Sequence, residues 1–172
     1  MYGKFEKNPP IPPSPKYLLF ICKGNICRSP FAEHLARKMI LDRGIDGVSV
    51  DSAGFEAVSK NNSPSEAVKS APRFGISLEG HSAKALEVSM IERADMVLVM
   101  EAAHRGHLAM KFPINNSKLF LLPLFCDLST ASTGKYFQFN VPDPYGQAEG
   151  EFTDCYLQID RCLNGLFSSI YK

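Results

Sequence analysis

The sequence predicts an α/β fold, a single three-layer domain with a four-stranded parallel sheet flanked by helices. Three observations carry that expectation. Short apolar runs of strand type alternate with stretches whose apolar residues recur at helical spacing, the order that builds a parallel sheet covered on both faces. A length of 172 residues suits one domain with one core. Hydrophobic residues at 45% and charged residues at 22% are an ordinary globular balance, which excludes a disordered or fibrous chain.

Residues 1–16 stand apart from the domain proper, 17–172. Pro9, Pro10, Pro12, Pro13 and Pro15 prescribe an extended, polyproline-like arm. A solvated or surface-packed arm is the simpler reading of it than a ligand for a proline-recognising domain. It holds no apolar signal segment, and no stretch of the chain is long enough to cross a bilayer.

Tyr17 to Ile21 is an apolar strand-type run stopped by Gly24 and Asn25. Pro30 suits a first helical turn, after which Phe31, Leu35 and Met39 recur at helical spacing until Gly44. Val48 to Ser52 reads as the second strand. Ser63-Pro64-Ser65-Glu66 has capping-box spacing, so a helix is expected to begin there and to end or kink at Pro72 and Gly75. A helical piece from about Leu86 to Arg93 leads into the strand Met96 to Met100, then a helix from Ala102 to Met110. Lys118 to Leu122 is the fourth strand and Pro123 to Gln147 a long loop. A last helix starts near Glu149, with Phe152, Tyr156, Ile159, Leu163, Leu166 and Ile170 as its apolar stripe.

Nineteen Lys and Arg against eighteen Asp and Glu leave a formal charge of +1, which argues against a nucleic-acid or membrane-surface binder. Five cysteines at irregular spacing make a poor disulfide framework and fit a reducing, cytoplasmic compartment. Export without a cleavable signal is the alternative. His104 and His107 have no cysteine at zinc spacing, so no metal is expected. Cys155 and Cys162 read as packing residues, and Cys126 carries no motif.

In folds of this class ligands bind beyond the carboxyl ends of the strands, commonly at the first strand-to-helix turn. Here that turn reads Cys22-Lys23-Gly24-Asn25-Ile26-Cys27-Arg28-Ser29-Pro30. A tight curl before a helix N-terminus can aim successive N–H groups inward, and Gly24 and Asn25 tolerate the left-handed backbone this needs. Arg28 supplies a planar fork for two oxygens of a tetrahedral oxyanion. A cysteine facing that cradle is expected to be a thiolate. Cysteine and arginine six positions apart are weak evidence alone; the strand before, the helix after and Ser-Pro at the exit make them specific.

The segment resembles the phosphate-binding loop of the low-molecular-weight protein tyrosine phosphatases, Cys-x-Gly-Asn-x-Cys-Arg-Ser-Pro. The resemblance runs on through Asp51-Ser52-Ala53-Gly54, Gly75 to Ala83 with His81, Ala94 to Met100, and Val141-Pro142-Asp143-Pro144-Tyr145. Only the proline-rich arm lies outside it. It implies a phosphatase that needs neither metal nor cofactor and works in two steps. Cys22 attacks phosphorus and forms a phosphocysteine, while loop N–H groups and Arg28 hold the equatorial oxygens. Asp143 protonates the leaving phenolate, then activates the hydrolytic water. Ser29 hydrogen-bonds the Cys22 sulfur, and Asn25, Ser52 and His81 form the supporting network. Without the Cys22 loop, Asp143 between two prolines would read only as a turn residue.

The resemblance further implies phosphotyrosine proteins as substrates, inorganic phosphate as product, and a monomer or weak homodimer. Lys23, Ile26, Phe55 and Tyr145 are the expected cleft walls, with Lys23 favouring acidic residues beside the phosphorylated one. Cys27, five residues from Cys22, is a candidate partner for a reversible disulfide. Phe55, Gly146 and Glu101 depart from the family's usual residues, and none of the three is expected to touch the catalytic set. Arginine phosphatases of the same fold carry threonine where Ile26 stands, and the apolar Ile26 favours a phenol ring. Thiol-coupled arsenate reductases need cysteines that Val97 to Leu108 lacks. A catalytically silent phosphoprotein-binding module is disfavoured because Cys22, Arg28 and Asp143 are all present.

Overall fold

The computed structural model describes residues 7–126 and 138–171. Part of the predicted long loop, with Asp127 to Thr130, lies outside the described residues. Four parallel strands, β1 (Tyr17–Cys22), β2 (Ser49–Gly54), β3 (Met96–Val99) and β4 (Leu119–Leu121), pair in the order β2-β1-β3-β4. The helices are α1 (Arg28–Asp42), α2 (Ser65–Ser70), α3 (Val88–Arg93), α4 (Ala102–Lys111) and α5 (Glu149–Ile170).

The alternation along β1 sets up the layers. Leu18, Phe20 and Cys22 join Phe31 and Leu35 of α1 and Phe152, Tyr156, Ile159, Leu163 and Leu166 of α5 in one buried cluster. Leu19 and Ile21 join Val97, Val99, Leu119 and Leu121 with Met90, Ile91 and Leu108 from α3 and α4 in the other. A strand buried on both faces must be apolar throughout, which is why the central strands read as continuous hydrophobic runs. Against α5 the 3₁₀ turn Leu122–Phe125 packs so closely that a Cβ on Gly165 would meet the Phe125 carbonyl at 1.9 Å.

Two local expectations are corrected. The Ser63 capping box does not form: the helix starts at Ser65, Pro64 occupies the cap with extended ψ of 158°, and no side chain caps it. Proline's locked φ suits the cap as well as the first turn, so the spacing was ambiguous. Leu86 is not helical either. Its N–H donates to Gly54 O at 2.9 Å and Ala85 bridges to Gly54, so the chain stays extended beside β2 until Val88.

The described part of the arm is tied down. Asn8 accepts the Leu121 N–H through Oδ1 at 2.7 Å and donates through Nδ2 to Leu121 O at 3.1 Å. Ile11 packs against the α1–α5 cluster. The Tyr171 hydroxyl donates to Pro15 O at 2.8 Å, and Asp95 accepts the N–H groups of Lys16 and Tyr17 at 2.8 and 3.0 Å.

Candidate active site

β1 delivers Cys22 to the carboxyl end of the sheet, and α1 begins six residues later at Arg28. Between them Asn25 takes a left-handed φ of 53°. The reversal is held from within: Asn25 Nδ2 donates to Ser29 Oγ at 2.9 Å and to Ser52 Oγ at 2.8 Å, while its Oδ1 accepts the Lys84 N–H at 2.8 Å. His81 Nε2 lies 2.7 Å from the Asn25 carbonyl oxygen. The end of β2 closes in as well, since a Cβ on Gly54 would fall 2.6 Å from Lys23 O and 2.9 Å from Asn25 N. Glycine is required by that approach.

Cys22 Sγ lies 3.0 Å from Ser29 Oγ and accepts the Asn25 N–H at 3.3 Å. The Asn25 N–H and the Ser29 hydroxyl converge on one buried sulfur, and with both donating the arrangement suits negative charge there. Cys27 sits in the same loop, buried, and burial first, then Asp143 and Cys22, push its thiol well above the ordinary range.

Arg28 crosses the mouth of the loop with its side chain 3% exposed. Its Nη1 donates to Glu101 and, at 3.1 Å, to Val141 O, while Nη2 donates to Asp143 Oδ2 at 2.7 Å. Nε is buried without a protein partner among the described residues, a donor left over for an oxyanion. Burial works against the guanidinium charge, but Cys22, Asp143 and Glu101 outweigh it and raise its pKa. The Asp143 loop is positioned by β3 and α5: Val141 N–H donates to Met100 O at 2.8 Å, and Gln158 Nε2 to Asn140 O at 2.9 Å.

A pocket of about 300 Å³ opens above the sulfur, walled by Ile26, Val58, Asn61, Glu56, Asp143 and Tyr145, with Cys22 and Arg28 at its base. The Ile26, Val58 and Tyr145 side of the wall, above an anion-binding floor, fits a phosphorylated ring better than a bare anion. Lys23 stands at the rim, 62% exposed and 3.5 Å from Glu56.

The loop residues, Asp143, Tyr145 and the network of Asn25, Ser52 and His81 are thus brought together. Two expectations fail. Phe55 does not line the pocket; its ring packs 5.0 Å from His104 and 4.5 Å from His107, because the chain leaves β2 toward α4. Glu101 does touch the catalytic set, through Arg28. Its signal was its place, one residue beyond Met100 at the carboxyl end of β3, where sites of this fold gather.

Beside Glu101, His104 Nε2 lies 3.4 Å from Oε1, and the residue is 7% exposed. Burial, with Arg28, His107 and Lys23 adding, lowers its pKa to about 3. An unfolded histidine titrates near 6.5, so the unfolded chain takes up the proton first. Stability is therefore whole above about pH 6.5 and is lost as pH falls toward 3. This one group accounts for about 2 kcal/mol by pH 5. Urea unfolding at pH 7 and pH 5 should show that loss shrinking by a similar amount in His104→Gln; an unchanged pH dependence would assign the acid sensitivity elsewhere.

A model of the low molecular weight phosphotyrosine protein phosphatase family matches residues 17–172. The probable low molecular weight protein-tyrosine-phosphatase EpsP of Ralstonia solanacearum is 34% identical over 146 residues, covering 85% of this chain and 90% of its own. The crystal structure of the low molecular weight protein tyrosine phosphatase from T. tengcongensis matches with a TM-score of 0.79 at 28% identity, covering 90% of this chain and 99% of its own. A YwlE arginine phosphatase mutant with a phosphorylated active-site serine matches at 0.77 and 29%, covering 89% and 94%.

Proposed function

The chain belongs to the low molecular weight phosphotyrosine protein phosphatase family, and from that premise we propose how its residues hydrolyse phosphotyrosine on proteins. It is a phosphoric monoester hydrolase with a cysteine nucleophile. The catalytic unit is 17–172, with 1–16 an accessory arm. Cys22 attacks phosphorus in line; the P–S bond forms as the P–O bond to the phenolic oxygen breaks, and Asp143 gives that oxygen its proton. Asp143 then takes a proton from water, whose oxygen attacks phosphorus and releases inorganic phosphate and the Cys22 thiolate. Arg28 and the loop N–H groups hold the three equatorial oxygens throughout, and Ser29 stabilises the sulfur as nucleophile and leaving group.

The observation that supports this most directly is the arrangement on Arg28. A buried guanidinium stands beside the nucleophile, one donor unpartnered and one on an aspartate exposed enough to move aside. Ile26 and Tyr145 on the pocket wall favour a phenol ring over a guanidinium. Peptides carrying phosphotyrosine, phosphoserine or phosphoarginine test it: turnover is expected for the first alone. Faster turnover of the phosphoarginine peptide would move the chain to the arginine-specific branch that the YwlE likeness represents.

Cys22 and Cys27 form the redox pair of the site. Peroxide converts the Cys22 thiolate to a sulfenic acid, and Cys27 displaces its oxygen as water to give the disulfide. Peroxide-treated protein carrying Cys22 sulfinate and no Cys22–Cys27 linkage would remove that pairing. The five free thiols fit a reducing, cytoplasmic compartment. No described helix is long and apolar enough to cross a membrane.

A further inference from the structure

Glu33 lies on α1, one and a half turns beyond Arg28, and is 5% exposed. Nothing in the chemistry above uses it. A carboxylate in a core is costly unless paired and hydrogen-bonded, and this one is both. Arg37 Nη2 donates to Oε1 at 2.6 Å, Lys84 Nζ lies 3.9 Å from Oε2, and the Ser52 hydroxyl donates to Oε2 at 2.5 Å.

The last of these bonds opens onto the active site, and the directions of the hydrogens follow without a choice. The Lys84 backbone N–H can only donate, so the Asn25 amide must present Oδ1 to it. The NH₂ group of Asn25 then faces Ser29 and Ser52 and gives one hydrogen to each. Each hydroxyl, having received a hydrogen on its oxygen, must send its own elsewhere. Ser29 has Cys22 Sγ at 3.0 Å; Ser52 has Glu33. Asn25, Ser29 and Ser52 are all fully buried, so no solvent is at hand to take either proton.

We propose that Glu33 is a positioning residue for the nucleophile: by taking the Ser52 proton it holds the hydrogen-bond chain from Ser52 through Asn25 in the one direction that ends with Ser29 donating to Cys22. This rests on the reading of Cys22 as nucleophile. Without an acceptor at position 33, the Ser52 hydroxyl is a buried donor with no partner. Turning it toward Asn25 sets hydrogen against hydrogen and loosens the amide. That amide is what steadies the left-handed Asn25, whose N–H is the second donor to the sulfur. Both hydrogen bonds on Cys22 therefore weaken together, while Arg28 and the pocket walls are untouched.

Glu33→Gln and Glu33→Leu separate this from mere packing. Glutamine keeps an oxygen for Ser52 without the charge; leucine keeps bulk without the oxygen. The readouts are kcat and KM on p-nitrophenyl phosphate and the rate of Cys22 alkylation by iodoacetamide at pH 6, its site located by mass spectrometry. In Glu33→Leu, alkylation and kcat are each expected to fall about tenfold, because reactivity follows thiolate character, with KM nearly unchanged; Glu33→Gln should stay within about twofold of wild type. Wild-type alkylation in Glu33→Leu, or equal losses in both variants, would overturn the proposal.

Should Glu33→Leu fold poorly, Ser52→Ala supplies the same test, since it removes the hydroxyl that needs an acceptor. Asn25 then loses one of its two acceptors, so alkylation is expected to fall about tenfold with KM nearly unchanged, and a wild-type alkylation rate in Ser52→Ala would refute the chain. Alkylation is read without substrate, so a failure of the phosphatase reading itself appears separately, as turnover surviving Cys22→Ser.

Discussion

Cys22→Ser is expected to abolish turnover of p-nitrophenyl phosphate and phosphotyrosine peptides, with kcat falling by about 10⁵-fold or more, equivalent to about 7 kcal/mol of transition-state stabilisation. A serine hydroxyl in that position still reaches Ser29 and the Asn25 N–H, so the loop keeps its shape. It lacks a base to activate it, because Asp143 is held on Arg28 and in the proposed mechanism serves this step as the acid for the leaving group. The variant should melt close to wild type and still bind inorganic phosphate, since Arg28 and the loop N–H groups are intact. Stoichiometric turnover surviving the substitution would end the phosphocysteine mechanism.

Asp143→Ala should lower kcat by about 10²–10⁴-fold on substrates with poor leaving groups, the usual worth of a positioned acid. The loss should shrink toward nothing for an activated aryl phosphate whose oxygen departs unaided. A second effect has the opposite sign. The Asp143 carboxylate occupies Nη2 of Arg28 at 2.7 Å, where the proposed mechanism places a phosphate oxygen, so substrate has to displace it. Removing the carboxylate removes an internal competitor, and inorganic phosphate should inhibit the variant at lower concentration than wild type. A leaving-group-independent loss, or weaker phosphate inhibition, would remove Asp143 from the acid role or from the competition. Glu101 holds the other end of the guanidinium and is 22% exposed, so the fork stays in place when Asp143 leaves.

What was legible in the sequence follows from how local each feature is. The nucleophile loop could be read because its requirements are met by consecutive residues: a strand end, Gly24 and Asn25 for the curl, Arg28 and Ser29 on the first helical turn. The long helix from Glu149 was legible because its stripe repeats over about five turns, and Phe152, Tyr156, Ile159, Leu163 and Leu166 are all buried. Glu101 and Phe55 were misread for one reason. Their partners are set by which strand ends lie side by side, and the β1–β3 neighbourhood that puts Glu101 on Arg28 spans 73 positions. Glu33 shows the same limit, since nothing in helical spacing says that Ser52 will meet it. Polar side chains in cores are placed by tertiary pairing, and hydrophobic periodicity is silent about them.

At the margin of the sheet, β4 is only three residues long, yet its outward polar groups are spoken for. The Leu119 N–H goes to Asn116 O and its carbonyl takes a hydrogen from Arg105 at 2.9 Å. The Leu121 N–H and carbonyl are both engaged by the side chain of Asn8. A foreign strand arriving at this border would find no free ladder of donors and acceptors, which is the opening through which sheets polymerise from molecule to molecule. One asparagine from the proline-rich arm thus helps to close this margin of the sheet against growth, and an arm-less protein would reopen it at Leu121.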